Sequence, residues 1–182
     1  MPLPLLARAH GWNLDSLHEA MERRAVPKPS YVLPDGTEMV STDYFTLIGD
    51  GSDLGSLRDR FVARFEAALR RLGLPVAAEN SVATWNSYLT GEFAACLKSV
   101  SPEAMALKEL LIGSIADLVA EPQPQEEGWR AALRDAVGRL DDLEMPFAGW
   151  DEVRFGTRTS RARSIDDVHA RFPEVFTQGL PR

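Results

Sequence analysis

Ser101-Pro102-Glu103-Ala104-Met105-Ala106-Leu107-Lys108-Glu109-Leu110-Leu111-Ile112-Gly113-Ser114-Ile115-Ala116-Asp117-Leu118 announces a helix from its first three residues. Ser101 is an N-cap, Pro102 fits the first helical position, where no amide partner is needed, and the Glu103 charge suits the positive end of the helix dipole. Leu107, Leu110, Leu111, Ile115 and Leu118 then form an apolar stripe at three- and four-residue spacing. Glu121-Pro122-Gln123-Pro124 breaks the chain. Beyond the break, Trp129, Leu133, Val137, Leu140 and Leu143 mark a further helix that ends before Pro146. The tail from Phe147 to Ser160 has no clear period, and Ser164-Ile165-Asp166-Asp167 reads as the start of a last short helix closed by Phe172-Pro173.

Toward the start of the chain, Leu57, Phe61, Phe65, Ala68, Leu69 and Leu72 define another apolar helix face, stopped at Gly73 and Pro75, with Arg60, Arg64 and Arg71 on the opposite side. One helix is predicted from about Ser81 to Ser99, with Val82, Trp85, Leu89, Phe93, Cys96 and Leu97 inward. Four long helices suit a bundle. Gly49-Asp50-Gly51-Ser52-Asp53 is rich in turn formers and reads as a linker.

The segment before that linker is different. A short helix over Leu5–His10 is closed by Gly11. Asn13 caps a second helix bearing Leu14, Leu17 and Met21, which ends near Ala25. Pro27 and Pro29 forbid helix, and Tyr31-Val32-Leu33, Pro34-Asp35-Gly36 and Thr37-Glu38-Met39-Val40 read as strand, turn, strand. Ser41 or Thr42 is positioned to cap a closing helical turn with Tyr44, Phe45 and Ile48.

Residues Leu5 to Ile48 resemble the MerR-like winged helix-turn-helix. The likeness rests on Arg24-Ala25-Val26-Pro27-Lys28-Pro29, on Tyr31 to Val40 as a wing, and on Asp43-Tyr44-Phe45. Nearly the whole chain is similar to a bacterial family known from natural-product biosynthesis clusters and carrying a domain of unknown function. That likeness rests on Pro27 to Gly36, Trp85 through Lys98, and Arg171-Phe172-Pro173-Glu174-Val175-Phe176. It implies a secondary-metabolite context and supplies no catalytic residues. The expected fold is mainly α: a winged helix-turn-helix-like module with a small β-hairpin over residues 1–50, then a helical bundle over residues 54–182.

Composition narrows the function. The 182 residues are 45% hydrophobic and 26% charged, values of an ordinary globular protein able to bury a core. The longest apolar runs, such as Leu110 to Ala116, are too short for a bilayer, and Met1 to Leu6 lacks the basic start of a signal peptide, so the cytoplasm is expected. One cysteine, Cys96, excludes an internal disulfide. The scattered His10, His18 and His169 offer no ligand spacing, and neither metal nor cofactor is expected. The Walker loop, Gly-x-Gly-x-x-Gly, Gly-x-Ser-x-Gly and histidine–glutamate metal motifs are all missing. A net charge of −7 gives no general attraction to nucleic acid or anionic membrane. Residues 1–50 carry four basic against seven acidic side chains. Asp35 and Glu38 occupy the wing, where a DNA binder needs cations, so nucleic acid is not the expected partner.

Two clusters remain as candidate sites. Tyr88, Glu92 and Cys96, spaced by four, would stack along one side of the Ser81–Ser99 helix. Glu92 there would act as general acid or base, Tyr88 as its hydrogen-bond partner, and Trp85 and Lys98 as ligand-binding residues. The opposing reading makes Trp85, Tyr88 and Cys96 core residues and leaves Glu92 in solvent. Arg154, Arg158, Arg161 and Arg163 form a basic tract beside Thr157, Thr159 and Ser160, suited to a phosphate or carboxylate, as on a phosphopantetheine-bearing carrier protein or a nucleotide-like ligand. Its opposing reading is a solvated loop whose arginines pair with surface acids. The expectation is an accessory protein of a natural-product pathway that recognises a biosynthetic enzyme, a carrier protein or a small-molecule intermediate. A small cofactor-independent enzyme is the alternative, and a DNA-binding regulator the third.

Overall fold

The computed structural model describes residues 1–146 and 158–177. They are mainly helical, with one small antiparallel hairpin, as the sequence predicts. The chain divides into two compact units, Met1–Leu107 and Lys108–Arg182.

The first unit opens with α1 (Leu3–Ala9) and α2 (Leu14–Glu22). Asn13 caps α2, its Oδ1 accepting from the Ser16 amide at 3.0 Å. The second helix stops short of the predicted end near Ala25, because Arg24 turns into the left-handed region at φ 58°. The hairpin pairs β1 (Tyr31–Val32) with β2 (Glu38–Met39), in the register Tyr31 to Met39 and Val32 to Glu38. Gly36, at φ 83°, supplies the positive φ of its turn, and the Thr37 amide donates to Asp35 Oδ1 at 2.9 Å. The hairpin acids are thus engaged within the first unit, since Glu38 also meets His18 Nε2 at 2.6 Å.

The closing turn α3 (Tyr44–Ile48) has Asp43 at its N-cap, not Ser41 or Thr42. The Asp43 carboxylate reaches away from the helix: Oδ2 accepts from Ser99 Oγ at 2.8 Å and from the Val100 amide at 2.7 Å. Gly49–Asp53 is the stretch that reads as a linker. Trp12 lies against it. Its indole Nε1 donates to Gly49 O at 2.9 Å, and a Cβ on Gly51 would sit 2.6 Å from the ring. The expected linker therefore lies inside the first compact unit.

Helix α4 (Leu57–Arg71) buries Leu57, Phe61, Phe65, Ala68 and Leu69, the face read from their spacing. Three of its arginines are engaged: Arg60 with Asp53 at 2.6 Å, Arg64 with Glu103 at 2.8 Å and Arg70 with Glu66 at 3.0 Å. The helix predicted over Ser81–Ser99 is two, α5 (Ala78–Leu89) and α6 (Glu92–Cys96). Helix α7 (Pro102–Ala120) begins as predicted, the Ala104 amide donating to Ser101 Oγ at 3.1 Å. Leu111 and Ile115 of its stripe are buried, whereas Leu107, Leu110 and Leu118 are half-buried.

In the second unit, α8 (Glu127–Leu143) buries Trp129, Leu133, Val137 and Leu140. The C-terminal helical segment starts earlier than Ser164. Thr159 Oγ1 accepts from the Ala162 amide at 3.1 Å, a π-helical turn spans Ala162–Asp166, and α-helical turns follow at Asp167–Arg171 and Pro173–Phe176. Phe172 packs edge-on to Trp129 at 5.1 Å, and Arg134 Nε donates to Val175 O at 3.0 Å, which fixes this segment on α8.

Candidate functional site

The predicted acid–base cluster depends on one continuous helix, and the chain breaks that helix at Gly91. Its backbone sits at φ 80°, and a Cβ there would stand 2.6 Å from Lys28 O and 2.9 Å from Pro29 O. Only glycine fits so close to another backbone. The four-residue spacing of Tyr88, Glu92 and Cys96 consequently does not place them on one helical face. Trp85 and Tyr88 turn inward on Phe61, with ring centroids 5.2 and 4.9 Å away, and lie 5.5 Å from each other. Burial pushes the Tyr88 phenol well above its ordinary range. Glu92 and Lys98, across the break, are exposed. Cys96 is a half-buried thiol whose Sγ lies 3.4 Å from Phe93 O. The aromatic pair and the carboxylate thus occupy different environments.

The arginine tract divides similarly. Arg154 lies outside the described residues. Arg158 forks onto Asp167 at 2.7 and 2.8 Å and holds that carboxyl below the usual range, while Arg161 pairs with Asp141. Arg163 is exposed.

The second unit has a polar centre that no sequence motif singles out. Glu144, immediately after α8, is fully buried. Its Oε1 meets Lys108 Nζ at 2.8 Å and accepts from Ser160 Oγ at 2.5 Å, while Oε2 has no hydrogen-bond partner among the described residues. A fully buried carboxylate requires a counter-charge, and Lys108, itself only 11% exposed, supplies it. This triad ties α7, the end of α8 and the start of the C-terminal segment together. No local pattern announces it, because Ser160 is 16 residues from Glu144 and Lys108 is farther still.

The first unit holds a formed cleft of about 440 Å³, lined by Met21, Glu22, Arg24, Lys28, Leu89 and Thr90. Its walls are fastened: the Lys28 amide donates to Leu89 O at 3.0 Å, and Arg24 Nη2 donates to Asn86 Oδ1 at 3.1 Å. Two prolines flanking Lys28 and a basic pair at the end of α2 are the only sequence signals for it. A second, more open groove of about 460 Å³ runs along α4 and α5 past Arg58, Val62, Glu66 and Val82. Tyr88 and Glu92 line neither. Among the described residues no group of three or more His, Cys, Asp and Glu is placed to hold a metal ion, and no helix is long and apolar enough to cross a membrane.

These features define a mainly helical protein with a hairpin-bearing first unit and a buried charged centre in the second. The chain belongs to DUF6058, a family of unknown function, whose model matches residues 57–173. The match runs from α4 to the Asp167–Arg171 turn of the C-terminal segment and includes Lys108, Glu144 and Ser160; Arg24, Lys28 and the hairpin precede it. No curated protein and no solved structure matches the chain.

Proposed function

We propose that the protein is a cytoplasmic accessory protein of a natural-product pathway that recognises a small-molecule intermediate. The observation that carries this reading is the cleft at Arg24, Lys28 and Leu89. Its volume, about 440 Å³, falls in the range of ligand pockets, and its lining sets Met21 and Leu89 beside the polar Glu22, Arg24, Lys28 and Thr90, groups able to orient a polar ligand. The break at Gly91 works against the enzymatic alternative, because Glu92 stands in solvent without the buried surroundings that tune a catalytic carboxylate. The acids of the hairpin work against the regulatory one. The pathway context rests on the likeness of Pro27–Gly36, which borders the cleft at Lys28, and of Trp85–Lys98, which crosses it at Leu89 and Thr90.

Native mass spectrometry of the protein taken from its producing cells under gentle conditions tests the reading. A small-molecule adduct at one per chain is expected. Bare protein from cells actively making the product, or a stoichiometric protein partner with no small molecule, would overturn it.

A further inference from the structure

We infer that the cleft of the first unit is an oxyanion site, taking the carboxylate or phosphate of a small molecule between the Arg24 guanidinium and the Lys28 ammonium. The inference rests on the small-molecule reading above and specifies the ligand's chemistry.

Three observations converge on it. Arg24 is, among the described residues, the one non-glycine residue with positive φ, at 58°. A side chain in that region is strained, glycine or asparagine would end α2 more cheaply, and such strain concentrates at binding sites. The guanidinium is also positioned: its hydrogen bond to Asn86 Oδ1, at 3.1 Å, occupies Nη2 and leaves Nε and Nη1 without a partner among the described residues. Arginine presents its donors as a planar fork matched to a carboxylate or phosphate. Finally, Lys28 Nζ has no ion-pair partner among the described residues. Its backbone is clamped at both ends, by the bond to Leu89 O at 3.0 Å and by the approach of Gly91 to Lys28 O. Arg23, Arg60, Arg64 and Arg70 of the first unit each face a carboxylate, of Glu19, Asp53, Glu103 and Glu66. Arg24 and Lys28, like Arg8, Arg58 and Arg71, face none among the described residues, and what sets the pair apart is that both line one cleft.

Glu22 shares the lining and opposes an anion, leaving the cleft with a small positive balance. That balance suits one compact oxyanion and not a polyanion, which the net charge of −7 repels. Leu89 and Met21, both buried, provide an apolar floor for the rest of the ligand.

The test is an amide-resolved NMR titration of the full chain with inorganic phosphate and, separately, acetate. Saturable shifts confined to the amides around Arg24, Lys28 and Thr90 are expected. Which anion saturates first tells a phosphate ligand from a carboxylate one. Arg24→Gly is the decisive variant, because its backbone already has a glycine conformation; melting temperature is expected to hold or rise while affinity falls about ten-fold or more. Lys28→Gln should weaken binding similarly, and Glu22→Gln should strengthen it. Absence of saturable shifts with either anion, or equal affinity in a folded Arg24→Gly protein, would overturn the inference. An uncharged adduct in native mass spectrometry together with no anion binding would overturn it alone and keep the small-molecule reading.

Discussion

Glu144 shows how much one side chain can demand of its surroundings. Its carboxylate is fully buried and balanced by Lys108 at 2.8 Å. Lys108→Met would strand it, at an expected loss of about 3–5 kcal/mol. The double variant Lys108→Met/Glu144→Leu should recover most of that loss, since two apolar groups need no partners. Urea unfolding of the single and double variants measures both; a Lys108→Met protein as stable as the parent would show that the pair carries no such weight. Tyr44 is the counterpart in the first unit. Its hydroxyl donates to Pro27 O at 2.6 Å in a buried setting, and burial pushes the phenol far above its usual range. Tyr44→Phe should cost about 1–2 kcal/mol by leaving that carbonyl unsatisfied, as read by thermal or chemical denaturation.

Between elements, Gly91 approaches the Lys28–Pro29 backbone where α5 gives way to α6, next to the cleft residues Lys28 and Thr90. Gly91→Ala adds a Cβ against a carbonyl that cannot swing aside, at a φ that L-residues avoid, so a loss of about 2 kcal/mol or more is expected. A melting temperature unchanged by Gly91→Ala would mean that the loop gives way easily. Helices α4 and α7 are joined by Arg64 and Glu103, whose two hydrogen bonds measure 3.0 and 2.8 Å. The hydrogen bonds from Arg64, outweighing desolvation, hold the Glu103 carboxyl below its ordinary 4.5. A carboxyl lowered in the folded state adds stability above about pH 4.5, and that contribution disappears as acid protonates it. Both side chains are more than a third exposed, so the pair is worth about 0.5–1 kcal/mol at neutral pH. Glu103→Gln should lose this amount at pH 7 and almost nothing near pH 3. An equal loss at both pH values, measured by urea unfolding, would trace the effect to packing and not to charge.

At the scale of the molecule, the helices with strong periodicity are legible in the chain itself. The faces of α4 and α8 and the extents of α4, α7 and α8 follow from apolar spacing, Ser101-Pro102, Gly73 and Pro146, because these signals act within a turn or two of the chain; α7 keeps only Leu111 and Ile115 of its predicted stripe buried. The hairpin is legible for the same reason, its turn chemistry being local. A single Ser81–Ser99 helix is the wrong reading because apolar residues continue through Gly91 at helical spacing; the break comes from the Lys28–Pro29 backbone, which lies far away in sequence. At Gly49–Asp53 the residues in order show turn formers, and the contact of Trp12 with Gly49 and Gly51 comes only from the fold. Of the candidate site residues, Trp85 and Tyr88 are legible as a pair at helical spacing, but whether they face a cavity or Phe61 is set by the neighbouring helix. Helical class, hairpin and a net charge of −7 can be read from the residues in order, because propensity, capping and net charge are local or additive. Folding in three dimensions is what parts Glu92 from Tyr88, brings Glu144 to Lys108 and Ser160, and sets Arg24 and Lys28 in one cleft. Those outcomes depend on which distant backbone comes within a few ångströms, and no spacing along the chain encodes that.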